Sequence, residues 1–352
     1  MKTNKIRGFT LIEFMVASAL AIIVIMAAGT TYLTTRRLNQ SAQQRIDVQN
    51  DLRNAAVTIS RDARVAGTFG CMVTGGMDTG SIPSSAASAA AGTPYIVPVS
   101  GEFPDVSETK MTANPTIYMD STKNDGYGVI WTSDTTGLPT AGITLKGNAL
   151  IFIYGKGNEP VKGVTTTAGS TGLELASTSG ELQAAMNNNA SLVLSTCSNA
   201  FVVNATSVSG GKVNFTPSKT LTSDFNKTSN LGHISVSQFY AVAYIIGEVD
   251  GVDSLLRYEI GDDGNWQAPE LLAKNVSTMD VSFAYEKKCD STDSLPSNTM
   301  EFEYVATPSI TNLPALVQIT LTYAGSAQTQ YVINAAVRGG NSCVNTVSYP
   351  KD

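Results

Sequence analysis

The sequence predicts an α+β fold: one long N-terminal helix, its second half packed on an antiparallel β-sheet head with large loops. Three observations predict it. The run from Phe14 to Thr35 carries no charge. No proline occurs before Pro83, so nothing interrupts a helix begun near the N-terminus. From about residue 94 the hydrophobic period changes to two, the period of a half-buried strand.

The stem opens with a basic leader, Lys2, Lys5 and Arg7, that ends at Gly8. A secretory signal peptide places its small-residue cleavage site after the apolar core. Here the glycine precedes the core. A leader of residues 1–8, cut after Gly8, would leave the apolar segment in the mature chain; an uncleaved membrane anchor is the alternative reading. At ~1.5 Å per residue the Phe14–Thr35 run spans the ~30 Å hydrocarbon core as a helix. Residues 9–35 are therefore the expected transmembrane part. Arg36 and Arg37 stand at its far boundary, so both flanks are basic and charge bias alone does not orient it. Glu13 lies inside this apolar segment, where a charge is costly and marks function by default.

The helix is expected to continue to Ala66. Val48, Leu52, Ala55, Ile59, Ala63 and Ala66 recur at spacings of three and four, with Arg and Asp on the other faces. Gly67 is the expected stop. The division is then leader 1–8, helix 9–66 and a β-rich head 67–352. The small-residue passage 79–93 reads as an exposed loop.

In the head, alternating apolar residues mark strands at Ile234–Ile246, Met279–Tyr285, Val317–Tyr323 and Tyr331–Val337. Gly325-Ser326-Ala327 reads as a hairpin. Asp250-Gly251 and Asp262-Asp263-Gly264-Asn265 are turn signals around a strand at Leu255–Ile260. Shorter strands are expected at Thr116–Met119, Val129–Thr132, Ala149–Tyr154, Leu192–Ser195, Phe201–Ala205 and Lys212–Phe215. The Gly/Thr/Ser-rich stretch 155–190 reads as loop, with a helical turn at Glu181–Met186.

Composition narrows the chemistry. Charged residues are only 15% and the chain carries 30 glycines, which suits an extracytoplasmic, strand-rich protein. The net charge is −6 although the leader and segment 36–66 are both basic, so the rest is strongly acidic. An acidic head disfavours a nucleic-acid surface. Cys71, Cys197, Cys289 and Cys343 lie far apart with no CxxC pair, against zinc or thioredoxin-like sites. An even number beyond a membrane segment points to two disulfides in an oxidising compartment. Three connectivities exist; Cys71–Cys197 with Cys289–Cys343 is favoured.

No constellation for catalysis, metal or cofactor stands out, so the chain reads as a non-enzyme. His233 is the only histidine, stands at the start of a strand signal, and reads as structural. Asp120, Asn124, Asp125 and Gly126 misfit the EF-hand spacing and read as a turn. Gly155-Lys156-Gly157-Asn158 lacks the Walker spacing and reads as a loop. Arg45, Arg53, Arg61 and Arg64 read as a solvated helix face, with Arg36 and Arg37 the better interface candidates.

The opening Gly8-Phe9-Thr10-Leu11-Ile12-Glu13, with the helix behind it, resembles type IV prepilins and pseudopilins. The resemblance implies cleavage by a prepilin peptidase between Gly8 and Phe9, and N-methylation of the new Phe9 amine. It also implies that Glu13 meets the N-terminal amine of a neighbouring subunit, an opposite charge that offsets burial of the carboxylate. The stretch 54–70 followed by Cys71 is similar to PilW-type minor pilins. Leu271–Val276, leading into Met279–Tyr285, is similar both to that family and to the J-type pseudopilins of type II secretion. Chain length favours the pilus branch. The implied function is assembly of a type IV pilus, initiating at or near the filament tip. A secretion pseudopilin and a tip adhesin or ligand-binding head are the alternatives. Implied partners are the other minor pilins and the major pilin, the inner-membrane assembly platform, and membrane lipid before assembly. The implied location is the inner membrane with a periplasmic head, then the filament.

Overall fold

The structure, a computed structural model, describes residues 10–70, 72–73, 128–133, 135, 137–167, 170–177, 180–188, 190–195, 200–204, 207–209, 211–215, 234–286, 302–308, 313–324 and 329–340. Helix α1 runs unbroken over Leu11–Val65, within two residues of the expected 9–66. Gly67 ends it: its φ of 73° is the left-handed conformation glycine adopts without strain. Its N–H then donates to the Ile153 carbonyl at 2.7 Å, tying the helix end to the head.

The chain divides into two compact units, one up to Arg53 and one from Asn54. In the first, α1 buries none of its most apolar window within the chain and is long and apolar enough to cross a membrane. Large side chains from Leu11 to Leu33 are more than half exposed.

In the second unit, the last three turns of α1 bury Ala55, Ile59 and Ala63, followed by Ala66. The elements after it are β1 (Thr68–Phe69), β2 (Met72–Val73), β3 (Val129–Thr132), β4 (Thr144–Thr167), β5 (Ser170–Leu175), α2 (Gly180–Asn187), β6 (Ser191–Ser195) and β7 (Ala200–Asn204). They continue as β8 (Ser207–Ser209), β9 (Lys212–Phe215), β10 (Ser235–Val249), β11 (Val252–Glu259), β12 (Glu270–Lys274), β13 (Val276–Glu286), β14 (Phe302–Val305), β15 (Leu316–Tyr323) and β16 (Thr329–Ala336).

Among the described residues the main sheet runs β12-β11-β10-β4-β5-β9-β8, with β3 added to β4 and β6-β7 added to β10. A second sheet runs β14-β13-β15-β16, and β1-β2 form a small ribbon. Every ladder is antiparallel.

Strand β10 organises the head. Ser235 to Gly247 are all buried, which explains the near-continuous run Tyr240-Ala-Val-Ala-Tyr-Ile-Ile246 in place of strict alternation. Register places Tyr240, Val242 and Tyr244 opposite Tyr154, Phe152 and Leu150 of β4. On the other side Val242 and Tyr244 face Glu259 and Arg257 of β11. Directly opposed residues share a face of the sheet, and this is the face that meets α1. A second core lies beneath α2, where Leu182 and Met186 cluster with Leu173, Leu192, Leu194 and Val236.

Two expectations need correction. The stretch 155–190 is not loop. Strand β4 runs through it to Thr167 and turns back as β5, and the expected helical turn is the two-turn helix α2. Gly155-Lys156-Gly157-Asn158 is likewise strand interior. Gly157 at φ 66° accompanies a ladder irregularity opposite Val236–Gln238; the side chain of Ser237 fills the space where a Cβ on Gly155 would sit. These glycines bend a long strand rather than end it. The expected strand Thr116–Met119, the loop 79–93 and the tip 325–327 lie outside the described residues.

Candidate functional site

At the start of α1 the sequence places Thr10 just before the helix and Glu13 three residues on. The Glu13 carboxylate accepts from the Thr10 N–H and from the Thr10 hydroxyl, both at 3.0 Å. In return the Glu13 N–H donates to the Thr10 hydroxyl at 3.4 Å. This is the reciprocal capping box of a Thr-x-x-Glu sequence, which satisfies helix-terminal N–H groups that would otherwise lack partners. A carboxylate in the first turn also faces the positive end of the helix dipole. The apolar segment therefore does not carry a bare charge, because its own backbone and hydroxyl hold the carboxylate. The Thr10–Glu13 spacing is a sequence signal for this box, although the carboxylate alone drew notice above. Gly8 and Phe9 lie outside the described residues.

At the other end of α1 a second cluster forms, in the unit from Asn54 on. Asp62 was read as part of a polar helix face, but it is 1% exposed. It sits one position before Ala63 on the border of the apolar stripe, and the helix turns it into the sheet. The Tyr244 hydroxyl donates to it at 2.6 Å, Arg257 Nε at 3.2 Å and the Tyr154 hydroxyl at 3.4 Å. Arg257, 8% exposed, extends its Nη1 to Glu259 at 2.7 Å. The Tyr240 hydroxyl donates to the same Glu259 oxygen at 2.6 Å. Lys156 lies 4.9 Å over the Tyr240 ring, a cation–π contact.

The electrostatics follow. Burial, then the charge of Asp62, pushes the hydroxyls of Tyr154 and Tyr244 far above the ordinary phenol range. Burial and the bond to Glu259 do the same to Tyr240. Partial burial pushes Glu259 up, but the donors Tyr240 and Arg257 outweigh it and hold the carboxyl below its usual range. Desolvation opposes the charge on Arg257, yet Tyr244, Glu259 and Asp62 together raise it further. The neutral tyrosines thus act as fixed donors around one cation and two carboxylates.

Among the described residues, the turn aspartates and the helix arginines that the sequence singles out do not join the hydrogen bonds of these clusters. Asp263 spends its carboxylate on the Asn265 N–H at 3.0 Å and the Gln267 amide at 2.9 Å, closing the turn the sequence signals, with Gly264 at φ 75°. Arg36, Arg37, Arg45, Arg53, Arg61 and Arg64 are exposed on α1. His233, the Asp120–Gly126 segment and all four cysteines lie outside the described residues.

Residues 3–29 match the family model described as the prokaryotic N-terminal methylation motif. Searches of curated proteins and of solved structures return no match to the chain. With that match spanning Gly8 to Glu13, ahead of a membrane-length helix and an antiparallel head, the chain carries the N-terminal signature of type IV pilins and pseudopilins.

Proposed function

We propose that this chain is a type IV pilus minor pilin of the PilW type, which primes filament assembly at or near the tip. The observation that carries the reading is the methylation motif at residues 3–29, leading without a break into a helix that enters a large β-rich head. In this reading the precursor sits in the inner membrane with its head in the periplasm. A prepilin peptidase cuts between Gly8 and Phe9 and methylates the Phe9 amine. The stem stays in the bilayer until it joins other such helices in the filament core.

The capping box gives this sequence of events a physical form. Before assembly Thr10 supplies the donors that the Glu13 carboxylate needs. During assembly a neighbour's protonated amine replaces or joins them. The neutral Thr10 donors carry no net charge, whereas a protonated amine adds direct charge–charge attraction to the carboxylate, so the exchange favours the assembled state. A head of residues 67–352 on every subunit would crowd its lateral neighbours, which favours few copies at the tip. Glu13→Ala is the test: the protein stays folded and membrane-inserted while surface pili fall sharply in number. Unchanged piliation refutes the priming role.

The motif is shared by secretion pseudopilins, so that reading stays second. Loss of secreted hydrolases with normal piliation, in a strain lacking the chain, would select it.

A further inference from the structure

Strand β16 ends the second sheet and, among the described residues, pairs only with β15. Its residues, Thr329 to Ala336, include no charge, proline or glycine, and its register with β15 runs without a shift. Proteins usually blunt such an edge with short strands, charges or bulges. Other edges of this head are blunted in that way. Strand β12 carries Glu270 and Lys274 and pairs in an irregular register, β14 has four residues with Glu303 among them, and β8 has three.

The phase of the ladder shows what the β16 edge offers. The Val337 N–H donates to the Ala315 carbonyl at 3.1 Å, one pair beyond Leu316 and Ala336. Bonded and non-bonded pairs alternate along an antiparallel ladder, so residues 331, 333 and 335 turn their peptide groups to β15. Gln330, Val332, Asn334 and Ala336 turn theirs outward, and all four are exposed. Beyond the strand, Gly340 lies so close to Pro314, just before β15, that a Cβ would collide with its carbonyl oxygen. The described chain thus leaves on the β15 side and does not return along the free edge.

The side chains point to the occupant. The Ser282 hydroxyl donates to Gln318 Oε1 at 3.5 Å, and Gln318 Nε2 donates to Asn334 Oδ1 at 3.1 Å. This ladder crosses β13, β15 and β16 on one face and ends at the Asn334 amide nitrogen, a donor at the edge. Beside it Val332 is 50% exposed. We infer that β16 is a homotypic pairing edge, which takes a second copy of this chain antiparallel about a two-fold axis at Val332. In that register each Val332 covers the other. Gln330 of one copy stands opposite Asn334 of the second, which carries the amide ladder across the joint. An uncharged strand suits self-pairing, because a charge at its centre would face its own kind. A two-fold contact uses the same edge on both copies, so it closes at two. This inference does not depend on the pilus reading.

The test uses the full chain in detergent, with micelles in excess over protein so that stems do not pair by crowding. Sedimentation equilibrium reads the mass, and backbone hydrogen exchange reads the 329–336 peptide. Wild type is expected to form a dimer. On dilution to the monomer, the amides of Gln330, Val332 and Asn334 pass from slow to fast exchange. Val332→Lys sets like charges face to face across the two-fold axis. Val332→Pro removes an outward N–H without breaking a bond to β15. Each variant is expected to stay monomeric, with the melting midpoint of wild type measured at a dilution where wild type is also monomeric. A wild type that is monomeric at every concentration overturns the inference. So does a dimer that survives Val332→Lys, or one whose dissociation leaves exchange in 329–336 unchanged, because such a dimer forms through the stem or another face.

Discussion

Asp62→Ala removes the one acceptor that α1 contributes to the buried network. Three donors lose their partner, the Tyr244 hydroxyl at 2.6 Å, Arg257 Nε at 3.2 Å and the Tyr154 hydroxyl at 3.4 Å. Arg257 stays buried but keeps Glu259 at 2.7 Å, so its charge is not fully stranded. Breaking a buried pair by removing one partner costs ~3–5 kcal/mol. The surviving Glu259 contact places this case near the lower end, and the unsatisfied Tyr244 hydroxyl adds ~1 kcal/mol. The expected loss is ~3–4 kcal/mol. For a large domain that lowers the unfolding midpoint by roughly 6–16 °C. Thermal unfolding of the full chain in detergent, followed by near-ultraviolet circular dichroism, measures it. Arg61→Ala is the control: Arg61 is adjacent but its side chain is 75% exposed, and an exposed ion pair is worth at most ~1 kcal/mol. An Asp62→Ala variant that melts within experimental error of Arg61→Ala would refute the reasoning.

The lowered Glu259 carboxyl contributes stability in full above the ordinary carboxylate range, and that contribution is lost as pH falls through its folded value. The melting midpoint of wild type should therefore decline below about pH 4.3 more steeply than that of Glu259→Gln. At the alkaline end Tyr154, Tyr240 and Tyr244 are held neutral by the fold. Above about pH 10 the unfolded chain gains phenolate that the folded chain refuses, so stability falls as pH rises. Absorbance titration at 295 nm should leave these tyrosines untitrated until the protein unfolds, and full reversible titration of all tyrosines in the folded state contradicts it. The expected Cys71–Cys197 bridge has its own chemical test. Non-reducing peptide mapping should recover that pair, and a Cys71–Cys289 peptide would rule it out.

Local patterns carried much of the fold. Strict alternation located β13, β15 and β16 to within a few residues, because each has one buried and one less buried face. Asp250-Gly251 marked a two-residue hairpin, and both residues take the positive φ (51° and 76°) that such a turn requires. The misreading of 155–190 came from taking Gly and Thr together as loop composition. Threonine favours strands, and the glycines serve bends whose need arises only from the neighbouring strand β10. At the stem terminus, Gly8 and Glu13 were legible as a motif, and the Thr10 cap was legible as a spacing. The Asp62 cluster was not. Its partners Tyr244 and Arg257 lie 182 and 195 residues away, and no local period reports which aspartate of an amphipathic helix turns inward.

The central claim is that residues 1–8 are a leader and that the helix behind them is the stem of a filament subunit. N-terminal peptide mass spectrometry on filaments sheared from the cell surface tests it most directly. The expected result is a peptide of this chain that begins at N-methylated Phe9. Recovery of the chain only from the membrane fraction, with an intact Met1 leader, would contradict it.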